Sequence, residues 1–263
     1  MIVELIGCSG AGKTTLMRAV QRCASSVPIT SAWDLVLDRP GRRWITSPHA
    51  MNLVADATAV GPFVANLSRH ADFVRFAFQR LSRHAPSRFA HLNYARNVVR
   101  RVGMHELART VSDGRIVLTD EGATLIAYQL FVYSRVPPTA AEVERFASLV
   151  PMPDVLIHVR APLSVLVERA VARPDGRREL TGADAAQVRQ LLARADDVFT
   201  ALAATPALRD RVLVVDNPSG SLADQRLVGR RIAATLSDIE TGHGALPSTD
   251  LRHRTAERAA EDP

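Results

Sequence analysis

Short apolar runs separated by longer stretches of helical periodicity set the pattern of this chain. Ile2-Val3-Glu4-Leu5-Ile6 reads as a buried strand, rich in β-branched residues and closed at once by a turn. Arg115-Ile116-Val117-Leu118-Thr119 follows the turn signal Ser112-Asp113-Gly114 and reads as a second strand. Asp154-Val155-Leu156-Ile157-His158-Val159 and Arg211-Val212-Leu213-Val214-Val215 supply two more. A further short strand is expected at Asp34-Leu35-Val36-Leu37, inside a segment punctuated by Pro28, Pro40, Gly41 and Pro48 that otherwise reads as loop.

Between these runs the periodicity is helical. Helices are expected over 13–24, over most of 49–110 with breaks near Gly61-Pro62 and Pro86, and over 122–133 and 139–149. Others are expected over 162–172, 181–204 and 221–237, with Pro162 at a position where a helix tolerates the missing amide. Strands alternating with helices predict an α/β fold, a doubly wound parallel sheet of about five strands covered on both faces. One domain over 1–240 is expected, with a helical insertion at 40–110 and a lid at 173–182. The Gly-, Pro- and charge-rich residues 241–263 read as a disordered tail.

Composition narrows the function classes. The 263 residues are 47% hydrophobic and 23% charged, with no run near the ~18 unbroken apolar residues of a membrane span. Glu4 and the glycines that follow it are unlike a signal peptide. Two cysteines, Cys8 and Cys23, without a C-x-x-C pair fit a reducing, cytoplasmic setting. The net charge of +6 comes from 33 basic residues, of which only Lys13 is lysine and the other 32 are arginine. These arginines are spread along the chain without interleaved aromatics, which argues against a nucleic-acid partner. The eight histidines show no metal-ligand spacing, and a homodimer is compatible with the sequence.

Gly7-Cys8-Ser9-Gly10-Ala11-Gly12-Lys13-Thr14-Thr15 follows the first strand and opens the first helix, the context that gives G-x-x-x-x-G-K-[ST] its meaning. Its glycines let successive N–H groups turn toward anionic oxygens, and the helix N-terminus adds positive potential. Lys13 is expected to bridge the β- and γ-phosphates of ATP, and the Thr14 hydroxyl to ligate Mg2+. Lysine suits this place because a compact ammonium fits between phosphate oxygens where a planar guanidinium is too wide. Cys8 occupies a variable position of the loop, where a helix N-terminus would lower a thiol's pKa.

Three features stand opposite the loop. Asp120 and Glu121 follow directly on the strand expected at 115–119, at the end where a doubly wound sheet presents groups to its ligand. One is expected in the magnesium shell, and the other to hydrogen-bond the acceptor or take its proton. Arg169 and Arg173 share a helix face that runs into a loop bearing Arg177 and Arg178, which suits a mobile cationic lid over phosphates. Asp216-Asn217-Pro218-Ser219-Gly220-Ser221 after the last strand reads either as a border to a nucleotide base or as a simple strand-to-helix turn with Ser221 as the N-cap.

Together, GCSGAGKTT, LTDEG and PDVLIHVRAPLSVLVERAVARPDGRREL resemble the nucleoside and nucleotide kinases among P-loop proteins, the thymidylate kinases above all. The resemblance covers about 1–24, 112–133 and 151–240. It implies a P-loop NTPase fold and ATP-dependent phosphorylation of a small acceptor. It also implies phosphate and magnesium roles for Lys13 and Thr14, lid-bordering roles for Arg169 and Arg173, and an adenine border at 216–219. Thymidylate kinases carry Arg after the Asp at the strand end, whereas Glu121 stands here. A carboxylate suits a non-phosphorylated alcohol better than a nucleotide phosphate. Residues 40–110 show no match to the family's acceptor region. Trp33, Asp34, Asp38 and Trp44 are candidate acceptor contacts, and Phe73, Phe76 and Tyr94 either a pocket wall or plain core.

An Asn-Lys-x-Asp base-reading motif is absent, which excludes a GTPase switch, and no Ser-Gly-Gly signature marks a transporter ATPase. The alternative left open is a hydrolytic or regulatory ATPase in which Asp120-Glu121 forms a Walker-B pair and Glu121 activates water.

Overall fold

The computed structural model describes residues 1–23, 27–37, 47–112, 114–172, 184–217 and 222–242. Five strands form one all-parallel sheet: β1 (Ile2–Ile6), β2 (Ile29–Ser31), β3 (Ile116–Thr119), β4 (Val155–Arg160) and β5 (Val212–Asp216). Their spatial order is β2-β3-β1-β4-β5, consistent with a doubly wound α/β fold. The chain leaves β1 toward the β2 edge, whereas β2, β3 and β4 connect in the opposite direction. The carboxyl end of β1 therefore lies at the reversal, where such sheets open a crevice.

The helices are α1 (Lys13–Gln21), α2 (Ala32–Leu37), α3 (Pro48–Ala65), α4 (Ala71–His84), α5 (Arg88–Val111), α6 (Ala140–Leu149), α7 (Leu163–Val171), α8 (Ala185–Ala203) and α9 (Leu222–Glu240). Alternation along β1 divides its side chains. Ile2 packs with Val117 of β3 and Ala108 of α5, while Val3 and Leu5 join the larger core with Leu16, Val20, Leu118 and Ile157. β1, β3 and β4 carry near-continuous apolar runs because both faces of a central parallel strand are covered. No helix among the described residues is long and apolar enough to cross a membrane.

Four expected strands appear within a residue of their predicted ends; the fifth does not. Asp34-Leu35-Val36-Leu37 lies in α2, and the edge strand is Ile29–Ser31. The reason is local: the Asp34 amide donates to Ser31 Oγ at 3.1 Å, and Asp34 Oδ2 accepts from the Ser31 amide at 2.9 Å, a reciprocal cap that starts a helix. Gly61-Pro62 does not break α3, which ends only at Ala65. Proline so near the helix end removes a single hydrogen bond, and close packing on α5 holds the segment, Gly103 lying directly against the Ala59 carbonyl. The expected helix at 122–133 is a 3-10 turn (Ala123–Leu125) that widens into a π-helical turn (Tyr128–Val132).

Candidate functional site

The chain leaves β1 at Ile6 and curls through Gly7–Gly12 before α1 begins at Lys13. Backbone φ values of 133°, 86° and 90° at Gly7, Gly10 and Gly12 lie in the region that disfavours side chains. Space is also denied there. A Cβ on Gly7 would fall 2.2 Å from the Val159 carbonyl oxygen, and one on Gly12 would fall 2.3 Å from Asn217 Nδ2.

The ends of β4 and β5 clamp the loop from outside. Asn217 Nδ2 donates to the Ala11 carbonyl at 2.8 Å, and its own amide donates to the Arg160 carbonyl at 2.7 Å. Arg169 Nη1 of α7 donates to the carbonyls of Gly10 at 3.2 Å and Asn217 at 3.3 Å. From the other side the Tyr128 hydroxyl accepts the Ser9 amide at 2.9 Å. Lys13 Nζ is buried above the loop and donates to the carbonyls of Gly7 at 2.7 Å and Cys8 at 2.9 Å. No side chain caps α1 and its first turn holds no acid, so its positive end is open to an anion.

The acidic turn stands beside this end because β3 pairs directly with β1, Thr119 opposite Glu4. Thr14 Oγ1 donates to Asp120 Oδ2 at 2.5 Å. Glu121 points elsewhere: its Oε2 lies 3.7 Å from Arg100 Nη2 of α5. These two border a slot of about 20 Å³ together with Trp33, Arg101 and Thr119. Such a slot holds about one water molecule.

A residue that sequence reasoning passed over holds the turn in place. Glu4, 1% exposed, accepts the amides of Ala123 and Thr124 at 3.0 Å each and the Thr124 hydroxyl at 2.5 Å. His105 Nδ1 lies 3.5 Å from Glu4 Oε1, within charge attraction and without hydrogen-bond geometry. Gly122 is required here, since a Cβ would lie 2.1 Å from the Glu4 carboxyl carbon. Burial pushes the Glu4 carboxyl up, but His105 and the Thr124 hydroxyl and amide outweigh it and hold the group below its ordinary 4.5. The signal was present: a lone carboxylate inside a buried strand must have partners.

Electrostatics around the loop follow from burial. His158 of β4 has its pKa lowered to about 4, first by burial and then by the charges of Arg160 and Lys13, so it is neutral at pH 7. Burial raises Asp196 of α8, although Arg160 opposes this. Among the described residues no group of three or more His, Cys, Asp or Glu side chains converges to hold a metal ion. Thr14 with Asp120 offers the sparse oxygen set that suits Mg2+ shared with phosphate oxygens.

The Cys8 thiol is 2% exposed and directed at the Leu192 carbonyl, 3.6 Å away, as suits a small side chain at a variable position of the loop. Ser9 is buried and Thr15 exposed on α1. Phe73 and Phe76 are core, Phe73 edge-on to Phe146 at 5.7 Å, and Tyr94 stacks on Tyr133. Arg173, Arg177, Arg178, Asp38, Trp44, Pro218-Ser219-Gly220-Ser221, the lid and the tail beyond Gly242 lie outside the described residues. Besides Glu4, the sequence reading missed Tyr128, Arg100 and Gln129. Gln129 is 7% exposed, with an Oε1 that has no hydrogen-bond partner. No protein-family model matches the sequence, and comparison with curated proteins returns no significant match.

Proposed function

We propose that this chain is an ATP-dependent phosphotransferase of the P-loop kind, related to the nucleoside and nucleotide kinases, that moves a γ-phosphoryl group to a small-molecule acceptor. One observation carries the reading: an uncapped helix start behind a glycine-curled loop, with Lys13 folded over it and Thr14 bonded to Asp120 from the adjacent strand. Neither a turn nor a helix cap explains why all of these meet. In this reading the loop amides and Lys13 take the phosphate oxygens, and Lys13 exchanges its carbonyl partners for them. Thr14 and Asp120 would hold Mg2+, which supplies neutralising charge on the phosphates.

Arg169 buttresses the loop from α7, and Arg173 and Arg177 are proposed as the cations that meet the developing charge. Asn217 contributes by fixing the Ala11 carbonyl, which keeps the loop amides turned the other way. Glu121 faces Arg100 and Trp33 instead of Thr14, which favours an acceptor-side role over activation of water beside the magnesium. An acceptor is then bound where α2, α5 and the end of β3 meet, and the slot must widen to admit it. Two free cysteines suit a cytoplasmic setting.

The test is ADP formation from Mg-ATP, with and without a panel of nucleosides, nucleotides and sugars. Turnover that rises at least tenfold with one acceptor class supports the transferase. Fast turnover that ignores every acceptor would put the hydrolytic ATPase reading, with Asp120-Glu121 as its water-activating pair, in first place.

A further inference from the structure

Further along α1 from the loop, α1 and α9 line a cavity of about 620 Å³. Four arginines reach it: Arg18 and Arg22 from α1, and Arg226 and Arg230 from α9. Each pair is spaced i, i+4, so both pairs present their guanidiniums along one helix face, and like charges at that spacing destabilise a helix unless something anionic joins them. No carboxylate does so here: among the described residues none of the four makes an ion pair, whereas Arg69, Arg96 and Arg100 each have a carboxylate within 4 Å. A solvated basic face explains scattered arginines. It does not explain four unpaired ones converging on a concave space.

The volume is that of a site for a nucleotide-sized molecule. Four guanidinium forks offer more donors than one carboxylate or chloride can take up, whereas a chain of phosphates has oxygens for all of them. Thr15, at the rim, adjoins the phosphate loop, but Arg22 stands seven residues further along α1, ~10 Å at the rise of an α-helix. Phosphates seated at Lys13 and Thr14 cannot also occupy Arg22 and Arg230. We propose that the α1–α9 groove is a second anion site that binds a multiply phosphorylated small molecule, separate from whatever the glycine loop holds. The inference does not depend on the transferase reading.

Calorimetric titration without magnesium tests it on the full chain carrying Lys13→Ala, which disables the loop. Inorganic tripolyphosphate should still bind with one equivalent. Adding Arg22→Gln and Arg230→Gln should weaken it about tenfold or more, and Arg22→Lys with Arg230→Lys should restore part of the loss. Both arginine pairs are exposed, so these variants should melt like the parent. Repeating the titration with ATP identifies the source of the phosphates: tighter ATP binding points to a nucleotide, equal or weaker binding to a free polyphosphate, and either supports the site. The proposal is overturned if Lys13→Ala alone abolishes binding, if the glutamine pair changes nothing, or if a single-stranded oligonucleotide binds more tightly than tripolyphosphate.

Discussion

Glu4→Gln exchanges one carboxylate oxygen for an amide nitrogen, without change of shape, at the point where β1 holds the acidic turn. The carboxylate receives three donors on two oxygens: Ala123 N on Oε1, and Thr124 N and Thr124 Oγ1 on Oε2. A glutamine keeps one acceptor oxygen, and in either orientation its NH2 faces a backbone N–H that then has no partner. Leaving one buried donor unsatisfied costs ~1–3 kcal/mol, and the surviving bonds lose their charge assistance, so a total of ~3 kcal/mol is expected. For a chain of this size that corresponds to a fall in Tm of about 6–12 °C.

The pH dependence carries the sharper test. The Glu4 pKa is depressed in the folded state, so its stabilisation is present above the ordinary 4.5 and fades as pH falls through the lower folded value. Urea unfolding should therefore show a wide gap between parent and variant at pH 7 that narrows below about pH 4.5. The magnesium requirement for nucleotide binding should rise as well, because Asp120 is positioned by this turn. A midpoint shift worth less than ~0.5 kcal/mol, or a gap that ignores pH, would refute the role given to Glu4.

Thr14→Val removes the hydroxyl bonded to Asp120 and should raise the magnesium needed for half-maximal turnover about tenfold or more, with little change in Tm; unchanged magnesium dependence would count against Thr14 as a ligand. Gly12→Ala combines a φ of 90° with a contact of 2.3 Å to Asn217, and should cost ~2 kcal/mol or more in chemical unfolding and abolish nucleotide binding in a filter assay. His158 stays neutral in the folded chain down to about pH 4 but takes a proton near 6.5 when unfolded, so stability should fall by about 3 kcal/mol as pH drops from 6.5 to 4. In melts across that range His158→Gln should flatten this part of the profile, and an unaltered slope would exclude His158 as its source.

The sheet was legible because β1, β3, β4 and β5 are apolar runs with turn chemistry on their flanks. β2 was not, because three residues at a sheet edge carry too little pattern, and Asp34-Leu35-Val36-Leu37 is as apolar as a strand while its helix is set by the Ser31–Asp34 cap. The adjacency of Asp120 to Thr14 was readable from a carboxylate at the end of a strand expected to neighbour β1. That Glu4 needs partners was readable from a carboxylate inside an apolar strand, but which partners was not, since they lie more than 100 positions away in sequence. The π-helical turn at Tyr128 was equally hidden. It belongs to a segment fixed at one end by Glu4 and bonded through the Tyr128 hydroxyl to Ser9, and no periodicity encodes such contacts.

The central claim is that Lys13 and the glycine loop grip a triphosphate with Thr14 and Asp120 beside it. Its most direct test is calorimetric titration of ATP, with and without magnesium, into the parent chain and into Lys13→Ala. The account predicts a magnesium-dependent component of one equivalent in the parent that Lys13→Ala removes while its circular dichroism stays native. A parent with no magnesium-dependent uptake, or a Lys13→Ala variant that retains it, would contradict the account.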